Sequence, residues 1–552
     1  SGANYASSKL TITTSSAHNF GSGGQEIFIS GVSGMTELNN RNFRVSTSPQ
    51  PTSTTFVLDE VIGGRVDASG FTAYTSGGTA TKIYEKTTPY QNVFLKDLRF
   101  AQSADTMYIV HPNFAVRTLT RSDHNNWTFA AVSFTENSTP TLSSSNNYPS
   151  VVSFFEQRLV FANTNNNPQT LWFSKNGDYN NFTTGTNADD ALIYTIASNQ
   201  VNAIRFLSAT RVLTVGTSGG EYVVTSTNDG PITPTTTLIR KYSNYGSANI
   251  EPVQVADVTL FAQRGNRKIR EFKFVGDVNT GGYSAPDMTI LAEHITDGGI
   301  TQMAYQQEPD SVVWCVRNDG TLLGLTYRRE EEVVAWHKHV IGGTFSSGQA
   351  VVESIATLPT DTGEDELYMV VKRTINSVTR KYVEKLKVFD FGSNTVNSFF
   401  VDSGLSYSGS SANTLSGLAH LKNESVQILG DGASHPNKTI SANALTLDYP
   451  VTSAAVGFGF ESQGKPKRIH AITVRFFETV GAEVGNDSGE VDRIFFRDSS
   501  MDMDTAVPMF TGDKEIEFPG GFDDDDRIYI KQDQPLPLTV LAFYPRMNTF
   551  DK

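Results

Sequence analysis

Short apolar runs that alternate with turn residues follow one another along the whole chain. The stretch from Ser311 to Ile341 shows the pattern most clearly. It predicts strands at Ser311–Arg317, Thr321–Arg328 and Val333–Ile341, with a tight turn at Asn318–Gly320 between the first two. Asp-Gly supplies the positive φ angles that a hairpin turn needs, so these strands fold back on one another.

Units of this kind recur through the middle of the chain. Their spacing is roughly 45 residues, which is typical of the blades of a β-propeller. Because each unit returns its chain before the next begins, the pattern favours a propeller over a sandwich. The paired strands are Val151–Ala162 with Thr170–Ser174, Arg211–Gly216 with Glu221–Thr225, Asp257–Gln263 with Lys268–Phe274, and Glu366–Thr374 with Val378–Val388.

The two ends of the chain have a different pattern. Residues 1–87 contain short alternating strands such as Leu10–Thr13, and predict a small β-barrel. Residues 88–148 read as a connecting β segment that ends in a Ser/Asn-rich linker, and 149–400 hold the repeated sheets. Residues 401–552 predict an antiparallel domain with strands such as Arg468–Glu478. We therefore expect an all-β protein: a propeller with a small N-terminal β-barrel module and a C-terminal antiparallel β domain, without an amphipathic helix.

Composition supports this class and narrows the function. Charged residues make up 18% of the 552, below the usual quarter, while 45 glycines and 35 phenylalanines fit many short strands and turns. The net charge of −14 argues against wrapping nucleic acid, although it permits a passage through which DNA slides. The single Cys315 rules out a disulfide framework and is expected in the core. No apolar run approaches 18 residues, so we expect no membrane-spanning segment.

A resemblance appears in the N-terminal segment. The string TTSSAHNFGSGGQEIFISGVSGMTELNNRNFRVS, followed by TTFVLDEV and GFTAYTSGGTATKIYE, resembles the small β-barrel first described as the first catalytic cysteine half-domain of ubiquitin-activating enzymes. That module is also a common insertion in the structural proteins of tailed phages. It carries no catalytic cysteine, and this segment contains none. A ubiquitin-related activity is therefore not expected.

A second resemblance extends from Pro149 to the end of the chain. The strings PSVVSFFEQRLVFANT, PQTLWFSKNGDYNNF, SNYGSANIEPVQVADVTLFAQRGNRKIREF, GKPKRIHAITVRFFETVGAEVG and FPGGFDDDDRIYI are similar to the tail nozzle, or tail tubular protein B, of short-tailed phages. This resemblance implies a structural protein of the virion tail. It implies a ring, commonly a hexamer, that binds the tail adaptor protein, continues the DNA channel and anchors fibre or spike proteins. Members typically carry a further N-terminal region, which we expect to be missing before Ser1.

Four cations cluster at one predicted hairpin tip. They are Arg264, Arg267, Lys268 and Arg270 in the string QRGNRKIREF. A solvated hairpin end is the simplest interpretation of such a cluster. Contact with a neighbouring subunit is the second, and contact with DNA in the channel is the third, because the rest of the molecule is acidic.

Neither a metal nor a cofactor site is expected from the sequence. The run Asp523–Asp526 lacks the alternating ligand spacing of a calcium loop and reads as a solvated acidic turn. His337 and His339 share one face of a strand, but no third ligand is apparent in the sequence. Both are therefore interpreted as structural.

Catalysis has little support in the sequence. Ser174–Asp178 and Asn318–Thr321 only faintly resemble the Asp-box turns of sialidases. The carboxylates of Asp189-Asp190, and of Asp310 with Asp319, read as turn residues rather than as a hydrolytic pair. We expect no enzyme. The alternative functions are a virion receptor-recognition protein that binds or cleaves surface glycans, and a cellular propeller adaptor.

Overall fold

The structure is a computed structural model of the chain. It describes residues 2–61, 64–123, 126–142, 144–197, 201–228, 230–276, 282–361, 363–387, 395–441, 443–459, 471–487, 490–502, 505–517 and 528–546. The chain forms two compact units. The first consists of residues 1–96, 102–107 and 118–130, and the second of residues 97–101, 108–117 and 131–552.

The first unit is built on one six-stranded antiparallel sheet in the order β1-β2-β5-β4-β3-β6. Alternate residues of its strands, including Leu10, Ile27, Phe43 and Phe56, meet in a single core. A sheet that buries one face without a second layer has to curve around that face, so this module is barrel-like. The strands are β1 Gly2–Ala6, β2 Lys9–Thr13, β3 Glu26–Ser33, β4 Arg41–Val45, β5 Thr55–Asp59 and β6 Ser76–Lys82.

Six antiparallel sheets then follow in chain order. The first sheet is β7 Arg99–Ser103, β8 Thr106–His111, β9 Phe114–Asp123 and β10 Asn126–Ala131. Of this sheet, residues 97–101 and 108–117 belong to the second unit. The second sheet is β12 Pro149–Phe155, β13 Arg158–Thr164, β14 Thr170–Phe173 and β16 Leu192–Thr195, and the third is β17 Ile204–Ala209, β18 Leu213–Thr217, β19 Gly220–Ser226 and β20 Thr237–Ser243. A separate short pair joins β11 Thr135–Glu136 to β15 Asn181–Phe182.

The last three of these sheets repeat the same up-and-down order. The fourth sheet is β21 Val253–Val255, β22 Val258–Ala262, β23 Ile269–Val275 and β24 Gly282–Ser284; the fifth is β25 Ile300–Gln306, β26 Val312–Arg317, β27 Leu322–Arg328 and β28 Val333–His339; β29 Thr344–Phe345 pairs with β30 Gly348–Gln349; the sixth is β31 Val351–Pro359, β32 Asp365–Ile375 and β33 Val378–Lys385.

Consecutive sheets pack face to face, which explains the continuous apolar runs in the sequence. In β26, Val313 and Cys315 lie in the core shared with the fourth sheet. Val312, Trp314 and Val316 lie in the core shared with the sixth sheet. Successive side chains of a strand point to opposite faces, so a strand that is buried on both sides has to be apolar at every position.

The sheets are arranged around an axis rather than in a straight stack. Packed sheets lie about 10 Å apart, so a straight stack would separate the first and fourth sheets by about 30 Å. Instead, Arg99 at the start of β7 forms an ion pair with Glu251, just before β21, with 2.8 Å between Nε and Oε2. The first strands of the fifth and sixth sheets also contact each other, since Gln302 of β25 donates to the Ile355 carbonyl of β31 over 2.8 Å. This is the arrangement of a β-propeller.

The C-terminal part of the chain forms three further antiparallel sheets. The orders are β34-β37-β35-β36, β41-β38-β43 and β40-β39-β42. The strands are β34 Asp402–Ser416, β35 Ser425–Gly430, β36 Ala433–Thr439, β37 Ala444–Phe458, β38 Ala471–Thr479, β39 Ala482–Asp487, β40 Glu490–Ile494, β41 Phe510–Glu517, β42 Tyr529–Lys531 and β43 Val540–Arg546. The end of the sixth sheet, at Ile375 and Tyr382, packs into the core of the first of these sheets.

The predicted fold class, an all-β propeller with a small N-terminal β module and a C-terminal antiparallel domain, is confirmed. Within the described ranges the helical segments are short 3-10 turns, at Thr36–Leu38, Asn92–Asp97, Thr395–Asn397 and Ala419–Leu421. The segment predicted to connect the barrel to the propeller carries the first sheet. Phe495 and Phe496 follow the end of β40, where Phe496 is buried and Phe495 is exposed.

Truncation of Trp172 tests the packing between the first and second sheets. Its indole is fully buried with Tyr108 and Phe161, and Nε1 donates to the Pro140 carbonyl over 2.8 Å. We expect Trp172→Ala to lower the free energy of unfolding by about 3–5 kcal/mol, measured by urea denaturation. Phe495→Ala is the control and should change it by less than about 0.5 kcal/mol, because its ring is exposed. A loss below about 1 kcal/mol for Trp172→Ala would contradict this packing.

Candidate functional site

The four predicted cations lie at the tip of the β22–β23 hairpin, as the sequence indicates. Arg267 forms an ion pair with Asp297, with 2.5 Å between Nη2 and Oδ1. The Lys268 ammonium lies 2.9 Å from Asp287 and 2.6 Å from Glu293. The hydrogen bonds to Glu293 and Asp287 hold the pKa of Lys268 above its ordinary value.

Arg270 is buried instead of facing a partner. Its guanidinium carbon lies 3.4 Å from the centre of the Tyr245 ring. Nη1 donates to the Ala285 carbonyl over 2.6 Å, and Nε donates to Gln263 over 2.8 Å. Arg264 is exposed and has no ion-pair partner among the described residues. The chain therefore neutralises or buries three of the four cations itself, which leaves Arg264 as the most available of them for an external contact.

The two histidines form a half-buried pair in the fifth sheet. His337 Nδ1 and His339 Nε2 are 2.7 Å apart, and both rings contact the Trp314 indole. Gly324 of the neighbouring strand makes room for them, since a Cβ at that position would lie 2.0 Å from Cε1 of His337. Burial lowers the pKa of His337, and burial together with His337 lowers the pKa of His339 to about 3. The pair is neutral at physiological pH.

A polar cluster that the sequence did not single out joins the sixth sheet to the C-terminal part of the chain. Asp402 Oδ2 accepts a hydrogen bond from the Gly342 amide over 2.6 Å, and burial raises the Asp402 pKa to about 6. Arg373, which is fully buried, donates to the Gly342 carbonyl over 2.7 Å and pairs with Glu384. In the sequence these residues are isolated polar positions in strands, which carry no signal of such a cluster.

The turn carboxylates have structural partners. Arg317 binds Asp319 through two hydrogen bonds of 3.0 and 2.6 Å, and the Thr321 amide also donates to that carboxylate. These bonds lower the Asp319 pKa to about 2 against the opposing effect of burial. Asp190 binds Lys175 over 2.7 Å. Over the described ranges of the chain, no three His, Cys, Asp or Glu residues are grouped so that they could hold a metal. Asp523–Asp526 lies outside the described residues.

Two strand edges are exposed, one rich in lysine and the other in glutamate. β33 is the last strand of the three-stranded sixth sheet, whereas the five sheets before it have four strands each. Its Val383 is 73% exposed, and Lys381 and Lys385 on the same face are exposed as well, with ion pairs to Glu353 and Glu366 of the same chain. β41 is an edge strand of a C-terminal sheet, and its exposed positions include Glu515 and Glu517. Open edges of this kind readily pair with another strand.

A cleft of about 1190 Å³ opens in the C-terminal part of the chain. One wall is the β35–β36 hairpin, whose turn residues Asp431 and Gly432 have positive φ angles of 47° and 80°. The opposite wall contains Arg493 of β40, Arg497 after that strand, and Tyr529 and Lys531 of β42. An Asp-Gly turn is the only part of this cleft with a clear signal in the sequence.

No family model matches the chain, and no curated protein matches it. Solved structures with some likeness include Hsv2 from Kluyveromyces lactis, at 9% identity and a TM-score of 0.34 over 53% of this chain and 73% of Hsv2. The WD40 propeller domain of Doa1 is 11% identical, with a TM-score of 0.29 over 66% of this chain and 94% of that domain. These scores are too low to carry an argument. Among the described residues, no helix is long and apolar enough to cross a membrane.

Asp402 gives a prediction about pH. The folded-state pKa of about 6 exceeds the ordinary value of about 3.9, so the carboxyl favours the fold in its protonated form. Its contribution is complete below about pH 4 and is lost as the pH rises through 6. We expect Asp402→Asn to be about 1–3 kcal/mol more stable than the parent at pH 7.5 and about equal at pH 4, measured by urea unfolding. An equal pH dependence of both proteins would contradict the burial of this carboxyl.

The histidine pair predicts the opposite pH dependence of stability, a loss as the pH falls. The folded pKa of His339 lies below the ordinary value of about 6.5, so its contribution is complete above pH 6.5 and is lost as the pH falls. Between pH 7 and 4.5 we expect the free energy of unfolding of the parent to fall by about 2–3 kcal/mol because of His339. Over the same pH range, the fall for His339→Gln should be smaller by that amount. His294→Gln is the control, because His294 is exposed. If His294→Gln and His339→Gln lose the same free energy of unfolding in acid, the His337–His339 pair does not cause the loss.

Proposed function

We propose that the chain is a ring-forming subunit of the tail nozzle of a short-tailed bacteriophage. It would be located in the virion tail, where the ring continues the DNA channel below the adaptor protein and anchors fibre or spike proteins. The resemblance of the strings from Pro149 onward supports the family, and the serial sheets around an axis agree with the propeller that the family implies. We expect a hexamer, and we expect no catalytic activity.

The observation that carries this proposal is the pair of open strand edges on one chain, one rich in lysine and the other in glutamate. β33 presents Lys381 and Lys385, and β41 presents Glu515 and Glu517. A contact between two different surfaces of identical subunits is heterologous, and it closes into a ring when the rotation between neighbours permits. Pairing β33 of one copy with β41 of the next would supply the missing fourth strand of the sixth sheet. It would also protect both edges from aggregation.

The charge distribution supports a channel that DNA crosses without being held. The chain carries a net charge of −14. Phosphate binding needs several cations that are available together, because affinity grows with each phosphate that is neutralised. Arg267 and Lys268 are already paired with carboxylates, and Arg270 is stacked on Tyr245. Arg264 remains available to contact a neighbouring subunit or the DNA in the channel. A single cation is too weak to hold the DNA in place.

The barrel-like first unit supports the anchoring role. The segment that resembles the phage insertion module folds as one sheet with its own core, so it can carry a binding surface without altering the propeller. We assign it the docking of a fibre or spike protein.

Charge reversal at the two edges tests the proposal. We expect Lys381→Glu with Lys385→Glu, and separately Glu515→Lys with Glu517→Lys, to raise the concentration for half-maximal assembly by about tenfold or more, because like charges then face each other. Combining all four changes should restore assembly. Native mass spectrometry of the full chain would measure the assembled fraction.

The matched control is Lys9→Glu with Lys82→Glu, two exposed lysines of the first unit. This variant should assemble like the parent. A parent that stays monomeric at high concentration would contradict ring formation. Failure of the fourfold variant to recover, with its melting temperature unchanged, would contradict the pairing of these two edges.

A further inference from the structure

We propose that the C-terminal cleft binds an acidic oligosaccharide. The cleft belongs to a single chain, so this proposal stands or falls independently of ring assembly. It concerns binding alone, since the described part of the cleft shows no pair of free carboxylates for hydrolysis.

The size of the cleft fits an extended ligand. Its volume of about 1190 Å³ exceeds the roughly 300–1,000 Å³ of most sites for small molecules. Its walls come from the β35–β36 hairpin on one side and from β40 and β42 on the other. A chain of several sugar rings can lie along such a cleft, whereas a single small metabolite would leave most of it filled with water.

Two buried polar atoms of the lining lack hydrogen-bond partners in the described structure. Tyr529 is only 4% exposed, and its hydroxyl is unpaired. Oε1 of Gln427 is also unpaired, although Nε2 of the same side chain donates to the Asp533 carbonyl over 2.5 Å. A buried polar group without a partner costs free energy, so these two atoms favour a ligand that supplies hydroxyl groups. They offer one donor–acceptor hydroxyl and one acceptor oxygen.

An aromatic platform lies on the hairpin wall. The Tyr449 ring is 43% exposed and packs against His435 with 5.0 Å between ring centres. His435 is fixed from behind, because its Nε2 accepts from the Asp448 amide over 3.0 Å and its Nδ1 lies 2.8 Å from the Pro436 carbonyl. An exposed ring held in this way can take the apolar face of a sugar ring, while the amide and hydroxyl groups bind its edge.

The cleft carries cations within an otherwise acidic chain. Arg493, Arg497 and Lys531 line it, but Arg497 donates to the Asp502 and Thr505 carbonyls and Lys531 lies 3.2 Å from Glu483. Arg493 is therefore the cation left for a ligand: its Nη2 donates to Gln534 over 2.9 Å, and no described residue accepts from its other nitrogens. Two carboxylates share the lining: Asp431, whose charge is stabilised by hydrogen bonds from the Thr452 and Ser453 amides over 2.9 and 2.7 Å, and Asp533, which lies 3.7 Å from Lys531. Guanidinium groups bind carboxylates through paired hydrogen bonds, so a saccharide that carries carboxylates fits best.

Other anionic polymers fit the lining less well. Single-stranded nucleic acid needs a track of cations along its backbone and several stacking rings. Here Arg493 is the one of the three lining cations left for a ligand, and a single cation does not make such a track. An acidic peptide would leave the unpaired Tyr529 hydroxyl and Gln427 oxygen without a matching row of hydroxyl groups.

Calorimetric titration of the full chain tests the proposal with four probes. These are an α-1,4-linked galacturonate tetramer, maltotetraose, tetraglutamate and the oligonucleotide dT4. We expect the galacturonate tetramer to bind about tenfold more tightly than maltotetraose and to lose affinity in 0.5 M salt, because one of its carboxylates is attracted to Arg493. Tetraglutamate and dT4 should bind more weakly than the galacturonate tetramer.

Tyr529→Phe separates a binding role from a structural one. It removes a hydroxyl that has no partner in the described chain, so the melting temperature should stay equal or rise. Affinity for the galacturonate tetramer should fall about fivefold to tenfold. Tyr544→Phe is the matched control, because Tyr544 is exposed on β43 and does not line the cleft. It should leave affinity unchanged.

Three results would overturn the proposal. The galacturonate tetramer does not bind, it binds Tyr529→Phe as tightly as the parent, or tetraglutamate or dT4 binds more tightly than the sugar. Arg493→Gln gives a second readout that does not depend on Tyr529. It should weaken the galacturonate tetramer more than maltotetraose, and equal weakening of both would contradict carboxylate recognition.

Discussion

Face-to-face packing between consecutive sheets is the constraint on which the rest of this structure depends. A sheet covered on both faces has no solvent side, so its polar side chains need partners inside the protein. Arg158 meets this requirement by donating to the Ser174, Asp190 and Ala188 carbonyls. Glu221 does so by accepting from Ser243 and Ser247, while its burial raises its pKa. The interior of the propeller is therefore occupied by structural contacts.

Because the faces are used for packing, function is left to the edges and to the C-terminal part of the chain. The sixth sheet ends in the open strand β33, and one of the three C-terminal sheets has β41 and β43 as its edge strands. Apolar residues remain exposed along β43, including Leu541 and Phe543. A cleft of about 1190 Å³ also lies in this part of the chain. This division leaves the edges for the assembly that we propose and the cleft for the ligand that we propose.

Much of the fold could be predicted because strand burial leaves a direct mark in the sequence. The apolar run Val312–Val316 and the Asp319-Gly320 turn indicated the fifth sheet, and the structure places strands and turn there. The site could not be predicted in the same way. Tyr529, Gln427 and Arg493 meet only through contacts between distant strands, and Arg270 looked exposed in a cationic string although Tyr245 covers it. Neither spacing nor periodicity reports such long-range contacts.

The central claim is that copies of this chain join edge to edge into a closed ring. Electron microscopy of the purified full chain, with averaging of single particles, tests it most directly. The account predicts rings with a central hole and a rotational symmetry that is read from the averages, most simply sixfold. Particles that remain single subunits at all concentrations, or open filaments without closure, would contradict it.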